Sequence, residues 1–141
     1  MKKIYMIVVI IVLLSIITSC KYSGNPIPNP VATVENTSIT VPVEIISYYW
    51  GSKTEYGGPW EKLVDKKGVL LPKKSKIIIN FDRAPKEVYQ YGNWLSIDEF
   101  LPLDIETNEI LVPDTEGSYI YSFSAKWPEG DVQYALKVQV E

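Results

Sequence analysis

Gly117–Glu141 reads GSYIYSFSAKWPEGDVQYALKVQVE, and the alternation within it decides the fold. Tyr119, Tyr121, Phe123, Ala125 and Trp127 occupy every second position, with Ile120, Ser122, Ser124 and Lys126 between them. After Pro128-Glu129-Gly130-Asp131, the residues Val132, Tyr134, Leu136, Val138 and Val140 alternate with Gln133, Ala135, Lys137 and Gln139. Successive side chains of a strand point to opposite faces, so this pattern predicts two long strands with one apolar and one polar face. The Pro and Gly between them predict a turn, and the whole a half-buried antiparallel hairpin.

Upstream, the same period recurs in shorter pieces. Ile39-Thr40-Val41 and Val43 to Trp50 read as one strand interrupted by Pro42, which suggests an edge or a bulge because Pro donates no ladder hydrogen bond. Val69 to Leu71 and Lys76 to Phe81 follow, joined by a polar PKKS turn, with Ile77, Ile79 and Phe81 on one face. Lys86 to Tyr91 is a further strand. Leu101 to Ile105 and Glu109 to Val112 flank Glu106-Thr107-Asn108, which reads as a hairpin turn. Helix is expected only at Pro59 to Lys67, with Pro at its start and Gly68 as its stop. About seven to eight short strands separated by turns predict an all-β antiparallel sandwich with one short helical turn.

Asp114-Thr115-Glu116-Gly117-Ser118-Tyr119-Ile120-Tyr121 resembles the tyrosine-corner region of immunoglobulin-like sandwiches, in which a small residue stands two before the corner Tyr. Two departures are visible. The acid is Asp114, one position further back than usual, and Tyr121 stands where a Cys is expected. The resemblance therefore implies immunoglobulin-like architecture without the disulfide. More broadly, ISYYW (46–50), YGGPWEKLV (56–64), LPKKSKIIINF (71–81) and the closing hairpin make Val41–Glu141 similar to small exported proteins and lipoproteins of Gram-positive bacteria. Such relatives often carry a Cys near Tyr49 and another after Trp50, and neither is present here. This likeness transfers no catalytic residue.

The N-terminus carries an address. Lys2 and Lys3 precede an apolar run, Ile4 to Ile17, and the order of charge, apolar core and small residues is that of a secretory signal. The run is shorter than the ~20 residues of a spanning helix. Ile17-Thr18-Ser19-Cys20 resembles the bacterial lipobox, which implies cleavage after residue 19 and diacylation of the Cys20 sulfur. Two chains on one sulfur give stable attachment where one does not. Lys21 adds attraction to anionic headgroups. Residues 20–37 are then expected to be a tether. Pro26, Pro28 and Pro30 favour an extended polyproline II spacer, and about 17 residues at ~3.1 Å each would reach roughly 50 Å. Residues 38–141 would form one sandwich domain, expected to be monomeric.

Composition narrows the chemistry. Of 14 Lys and Arg, two fall in the leader, so residues 20–141 hold 12 against 17 Asp and Glu, a formal charge of −5. With Arg83 the only Arg, no basic face for nucleic acid is expected. There is no His, and the only Cys is Cys20. That removes the usual general base, the commonest metal ligands and any intrachain disulfide, so no cofactor or metal is expected. Stability must come from packing, for which four Trp, three Phe and nine Tyr remain after the leader.

Four groups are candidates for function. Trp50, Tyr56, Trp60 and Trp94 stand in or beside the loops SKTEYGGP and GNWLS, where aromatic rings could stack on a sugar or a protein; the alternative for the tryptophans is the core. Asp98, Glu99, Asp104, Glu106, Glu109, Asp114 and Glu116 form an acidic stretch without calcium-loop spacing, best read as a solvated face. A carboxylate pair could in principle hydrolyse glycosides, but no motif orders one. The loops Tyr56 to Trp60 and Asn93 to Ser96 could present a rigid segment to a protease. The expectation is a non-catalytic module on the outer face of the cell membrane, binding an envelope protein or polysaccharide. Inhibition of a secreted protease is the alternative, and a carboxylate-dependent hydrolase comes third.

Overall fold

The computed structural model describes residues 24–104 and 108–141; the leader, Cys20 and most of the Glu106-Thr107-Asn108 turn lie outside the described residues. The described chain forms β1 (Val31–Val34), β2 (Thr40–Val41), β3 (Glu44–Trp50), β4 (Lys53–Glu55), α1 (Pro59–Leu63), β5 (Val69–Leu71), β6 (Lys76–Asn80), β7 (Glu87–Trp94), β8 (Phe100–Pro102), β9 (Glu109–Leu111), β10 (Gly117–Trp127) and β11 (Gly130–Val140). One sheet has the order β2-β1-β6-β9. The other runs β4-β3-β11-β10-β7-β8, with β5 pairing parallel to β11. The fold is an all-β sandwich, with eleven strands among the described residues rather than the expected seven or eight.

The closing hairpin forms as its alternation demands. Its register pairs Phe123 with Tyr134, Ala125 with Val132 and Trp127 with Gly130. The odd-numbered face of β10 meets the first sheet, where Ala32, Val34, Ile77, Ile79 and Ile110 are buried opposite it. Aromatic rings fill the middle. Phe123 stacks on Tyr134 at 5.4 Å and on Tyr91 at 5.5 Å, and Phe81 meets Trp127 edge-on at 5.6 Å. Such pairs add about 0.5–1.5 kcal/mol each beyond their burial. Burial pushes the Tyr91 hydroxyl up to about 12 and raises that of Tyr134, whose proton is held by the Pro28 carbonyl at 2.6 Å.

The corner resembling immunoglobulin-like domains closes through the Tyr119 hydroxyl, which donates to the Thr115 carbonyl at 2.8 Å. A Cβ at Gly130 would lie 1.8 Å from the Tyr49 carbonyl oxygen, and its φ is +153°, so only Gly fits where the β10–β11 turn meets β3.

Several local expectations change. Pro42 does not interrupt one strand: β2 lies in the small sheet and β3 in the large one, so Pro42 marks the crossing between layers. The PKKS segment makes a second crossing, from β5 to β6. The strands around Glu106-Thr107-Asn108 do not pair with each other; β8 pairs with β7 and β9 with β6, on opposite layers.

The largest correction concerns the tether. Residues 20–37 are not all spacer, because β1 is an interior strand, with Ala32 facing Val41 on one side and Ile79 on the other. The sandwich starts at Val31, not Ser38. The NPIPNP segment before it also packs on the body. Pro28 and Pro30 are buried and Ile27 is half-buried against the core. The Asn25 carbonyl accepts from Trp50 Nε1 at 2.7 Å, and Asn25 Nδ2 donates to Glu129 Oε1 at 2.7 Å. Residues 24–30 belong to no strand or helix, so their carbonyls are free to accept bonds from side chains of the domain.

Candidate functional site

The polar face of the hairpin divides in two. Ile120 and Ala135 are buried there with Ile46 beneath α1, packed by Leu63, Trp60, Val64 and Trp94. Two lysines tie the helix down: Lys137 Nζ donates to the Val64 carbonyl at 2.5 Å, and Lys62 Nζ to the Ile45 carbonyl at 3.0 Å. Gly57 allows the chain entering α1 to run against β3, since a Cβ there would meet the Ile46 oxygen at 2.6 Å.

Beyond the helix the same face is uncovered and forms a trough of about 330 Å³. The pairing that builds it can be followed strand by strand. Thr54 faces Tyr49, and Tyr49 faces Asp131. In the next row Ser47 faces Gln133, Gln133 faces Ser124, and Ser124 faces Tyr89. Tyr56, just past the end of β4, also lines the trough. Tyr56 is 89% exposed and Tyr49 61%. Tyr89 is half-buried, and its hydroxyl pKa is raised by burial and then by the charges of Asp131 and Glu87.

Both ladders that cross the trough are bulged at its floor. In β3 the register skips Ile46 opposite Gln133 and Tyr134; in β7 it shifts between Ser122 and Ser124 of its partner. The extra residue in β7 is Gln90, held at φ +52°, a left-handed conformation that costs a side-chain-bearing residue about 1–2 kcal/mol. Bulges re-aim side chains, and this one brings Gln90 to the trough, where its Oε1 accepts from the Ser124 hydroxyl at 3.4 Å. The Ser47 hydroxyl donates to Gln133 Oε1 at 3.1 Å. Each contact engages an amide carbonyl and leaves that amide's N–H donors for other partners. Among the described residues no donor reaches the buried Asp131 Oδ1. The lining includes two carboxylates, Glu55 and Asp131, and no lysine or arginine.

The four expected aromatics do not assemble into one patch. Trp50 is 7% exposed and belongs to the inter-sheet core, edge-on to Trp127 at 5.7 Å with the Arg83 guanidinium 5.5 Å from its ring centroid. It is not available to stack on a ligand. Trp60, in α1, and Trp94, at the end of β7, are half-buried and pack against the apolar cluster beneath the helix; Trp94 Nε1 donates to the Ser122 hydroxyl at 2.8 Å, and its ring meets Phe100 at 5.0 Å. Of the four, Tyr56 alone reaches the trough. Tyr49, Tyr89, Gln90, Asp131 and Gln133 were missed. For Asp131 and Gln133 the usable signal was their even spacing on the polar face of β11, whereas Gln90 reaches the trough beside Tyr89 only through the bulge, which alternation does not reveal. The two segments considered as protease-facing loops are partly taken up in regular structure, Pro59-Trp60 in α1 and Asn93-Trp94 in β7, while Tyr56–Gly58 and Leu95-Ser96 lie outside it.

Other concavities carry less chemistry. One of about 650 Å³ is lined by Lys66, Lys67 and Lys137, of which Lys66 pairs with Glu44 and Lys137 holds the helix end. Another, of about 530 Å³, lies between the Gly24–Ile27 segment and the β3–β4 turn over the edge of Trp50. Within the acidic stretch, Glu109, Asp114 and Glu116 pair with Lys76, Lys74 and Lys73 on the surface, and among the described residues no cluster of three or more metal-ligating side chains occurs. Compared with family models, curated proteins and solved structures, the chain matches none.

Proposed function

We propose that this chain is a lipoprotein held through Cys20 at the outer face of the cytoplasmic membrane of a Gram-positive cell, and that its sandwich is a non-catalytic binding module. The trough carries the reading. It combines exposed tyrosine rings with amides, hydroxyls and a carboxylate, a surface suited to holding a partner. The address comes from the leader and lipobox-like residues, 1–20. Asn25, clasped to the body by Trp50 and Glu129, stands five residues after Cys20, so the intervening chain spans at most about 18 Å. With the lipid in the bilayer, the domain then sits close to the headgroups rather than roughly 50 Å above them.

Two measurements test this. Mass spectrometry of the membrane fraction is expected to find a diacylated Cys20, and Cys20→Ser to release the protein into the medium or leave it unprocessed. Crosslinking on intact cells is expected to capture an envelope partner that Tyr49→Ala and Tyr56→Ala each lose. Capture indifferent to both substitutions would remove the trough from the function.

A further inference from the structure

We propose that the trough is a subsite for a linear glycan of neutral or amino sugars, an inference that rests on the binding-module reading and gives it a ligand. A pyranose ring has an apolar C–H face and a rim of hydroxyls. It therefore fits a surface offering aromatic faces beside closely spaced hydrogen-bonding groups. Tyr49 on β3 and Tyr56 just past the end of β4 supply exposed rings, and Tyr89 bounds the opposite side. Between them lie the amides of Gln90 and Gln133 and the Asp131 carboxylate. The Asp131 carboxylate lies in the lining, where a sugar hydroxyl or ammonium group would find an acceptor.

Charge selects among glycans. Of the two carboxylates in the lining, Glu55 is paired with Lys62 at 3.4 Å, which leaves Asp131 to favour an amino sugar over a polyphosphate or uronic-acid polymer. The volume, about 330 Å³, lies near the lower end of the range for small-ligand sites, in keeping with a short stretch of a longer chain. The strained backbone at Gln90 is the second, independent observation. Glycine would relieve the φ of +52° but would remove the amide that the bulge turns into the trough.

The test is calorimetric titration of the full-length protein in detergent with chitohexaose, with a chitosan hexamer and with a hyaluronan oligosaccharide as the polyanion. Saturable binding is expected for at least one of the first two and none for the third. Tyr49→Ala and Tyr56→Ala are each expected to weaken it about fivefold or more, with Tyr49→Phe close to wild type because the ring remains. Asp131→Asn is expected to weaken the chitosan hexamer more than chitohexaose, since only the former carries ammonium groups. Absence of binding to both oligosaccharides, or binding that both alanine variants leave unchanged, overturns the proposal. If both oligosaccharides fail while Tyr49→Ala still abolishes cell-surface crosslinking to a protein, the glycan assignment falls and the binding module stands. If both measurements fail, the module falls with it.

Discussion

The outer face of the large sheet has two halves, built on the same strands and treated differently. At one end Ile46, Ile120 and Ala135 are 0%, 3% and 0% exposed, because α1 lies over them. Two residues further along β11, at Gln133, and from Ser124 along β10, the cover stops and the trough begins. The apolar half needs a lid, since its exposed surface would cost roughly 25 cal/mol per Å². The polar half needs none. Solubility there asks only for polar side chains, yet the surface carries Tyr49, Tyr56 and Tyr89 and tolerates a left-handed glutamine at its floor. That excess over what folding requires is the argument for a partner.

The sharpest way to separate the halves is to damage the lid. Leu63→Ala empties a position that is 2% exposed and should cost about 2–5 kcal/mol in urea unfolding, the range for a buried leucine. Glycan affinity per folded molecule should hardly move, because Leu63 does not line the trough. A loss below about 0.5 kcal/mol would mean that the helix rests on the sheet without stabilising it.

Acid probes the other cover, the N-terminal segment over Trp50. Glu129 is the hub. Hydrogen bonds from Arg83 and then from Asn25 hold its carboxyl down at about 2, against an ordinary value of 4.5, and its side chain is 5% exposed. A depressed carboxyl contributes stability that is fully present above its unfolded pKa and is lost as pH falls through the folded one. The melting temperature should therefore decline between about pH 4.5 and pH 2. Glu129→Gln should flatten that decline relative to wild type. An equal slope in both proteins would show that other carboxylates govern the acid limb.

What could be read from sequence follows the same division. The inner face was legible because every second residue from Tyr119 to Trp127 and from Val132 to Val140 is apolar, and strand periodicity converts that directly into burial. The sandwich class followed. The outer face was not, because alternation says which residues leave the core and not what lies over them; Ile120 and Ala135 look like lapses in a polar series until α1 is placed. Sheet membership was illegible for a related reason. Pro42 and the PKKS segment punctuate the chain whether it turns back within a layer or crosses to the other. Prolines 26, 28 and 30 led to the expectation of a free spacer, since composition does not reveal that Trp50, Glu129 and Tyr134 reach for the segment. Within the site, tryptophans drew attention as the larger rings, but large rings are what cores bury first. Tyr49 was passed over because its neighbour Trp50 faces the other way.

Two smaller effects decide whether the open half is shaped for a ligand or merely tolerated. Gln90→Gly should relieve the left-handed backbone and stabilise the protein by about 0.5–1 kcal/mol in urea unfolding, the relief being partly offset by glycine's greater freedom when unfolded. The same variant should bind the oligosaccharide more weakly, because the amide is gone. A gain in stability coupled to a loss in affinity is the mark of strain retained for function. Weaker still should be the effect on folding of Tyr49→Ala. With the ring 61% exposed and outside both apolar clusters, the stability change should stay within about 0.5 kcal/mol. Circular dichroism melts of that variant against wild type check it. If the melt drops as far as it does for Leu63→Ala, Tyr49 is part of the sandwich's own packing, and the contrast between a half that folding requires and a half that it does not would disappear.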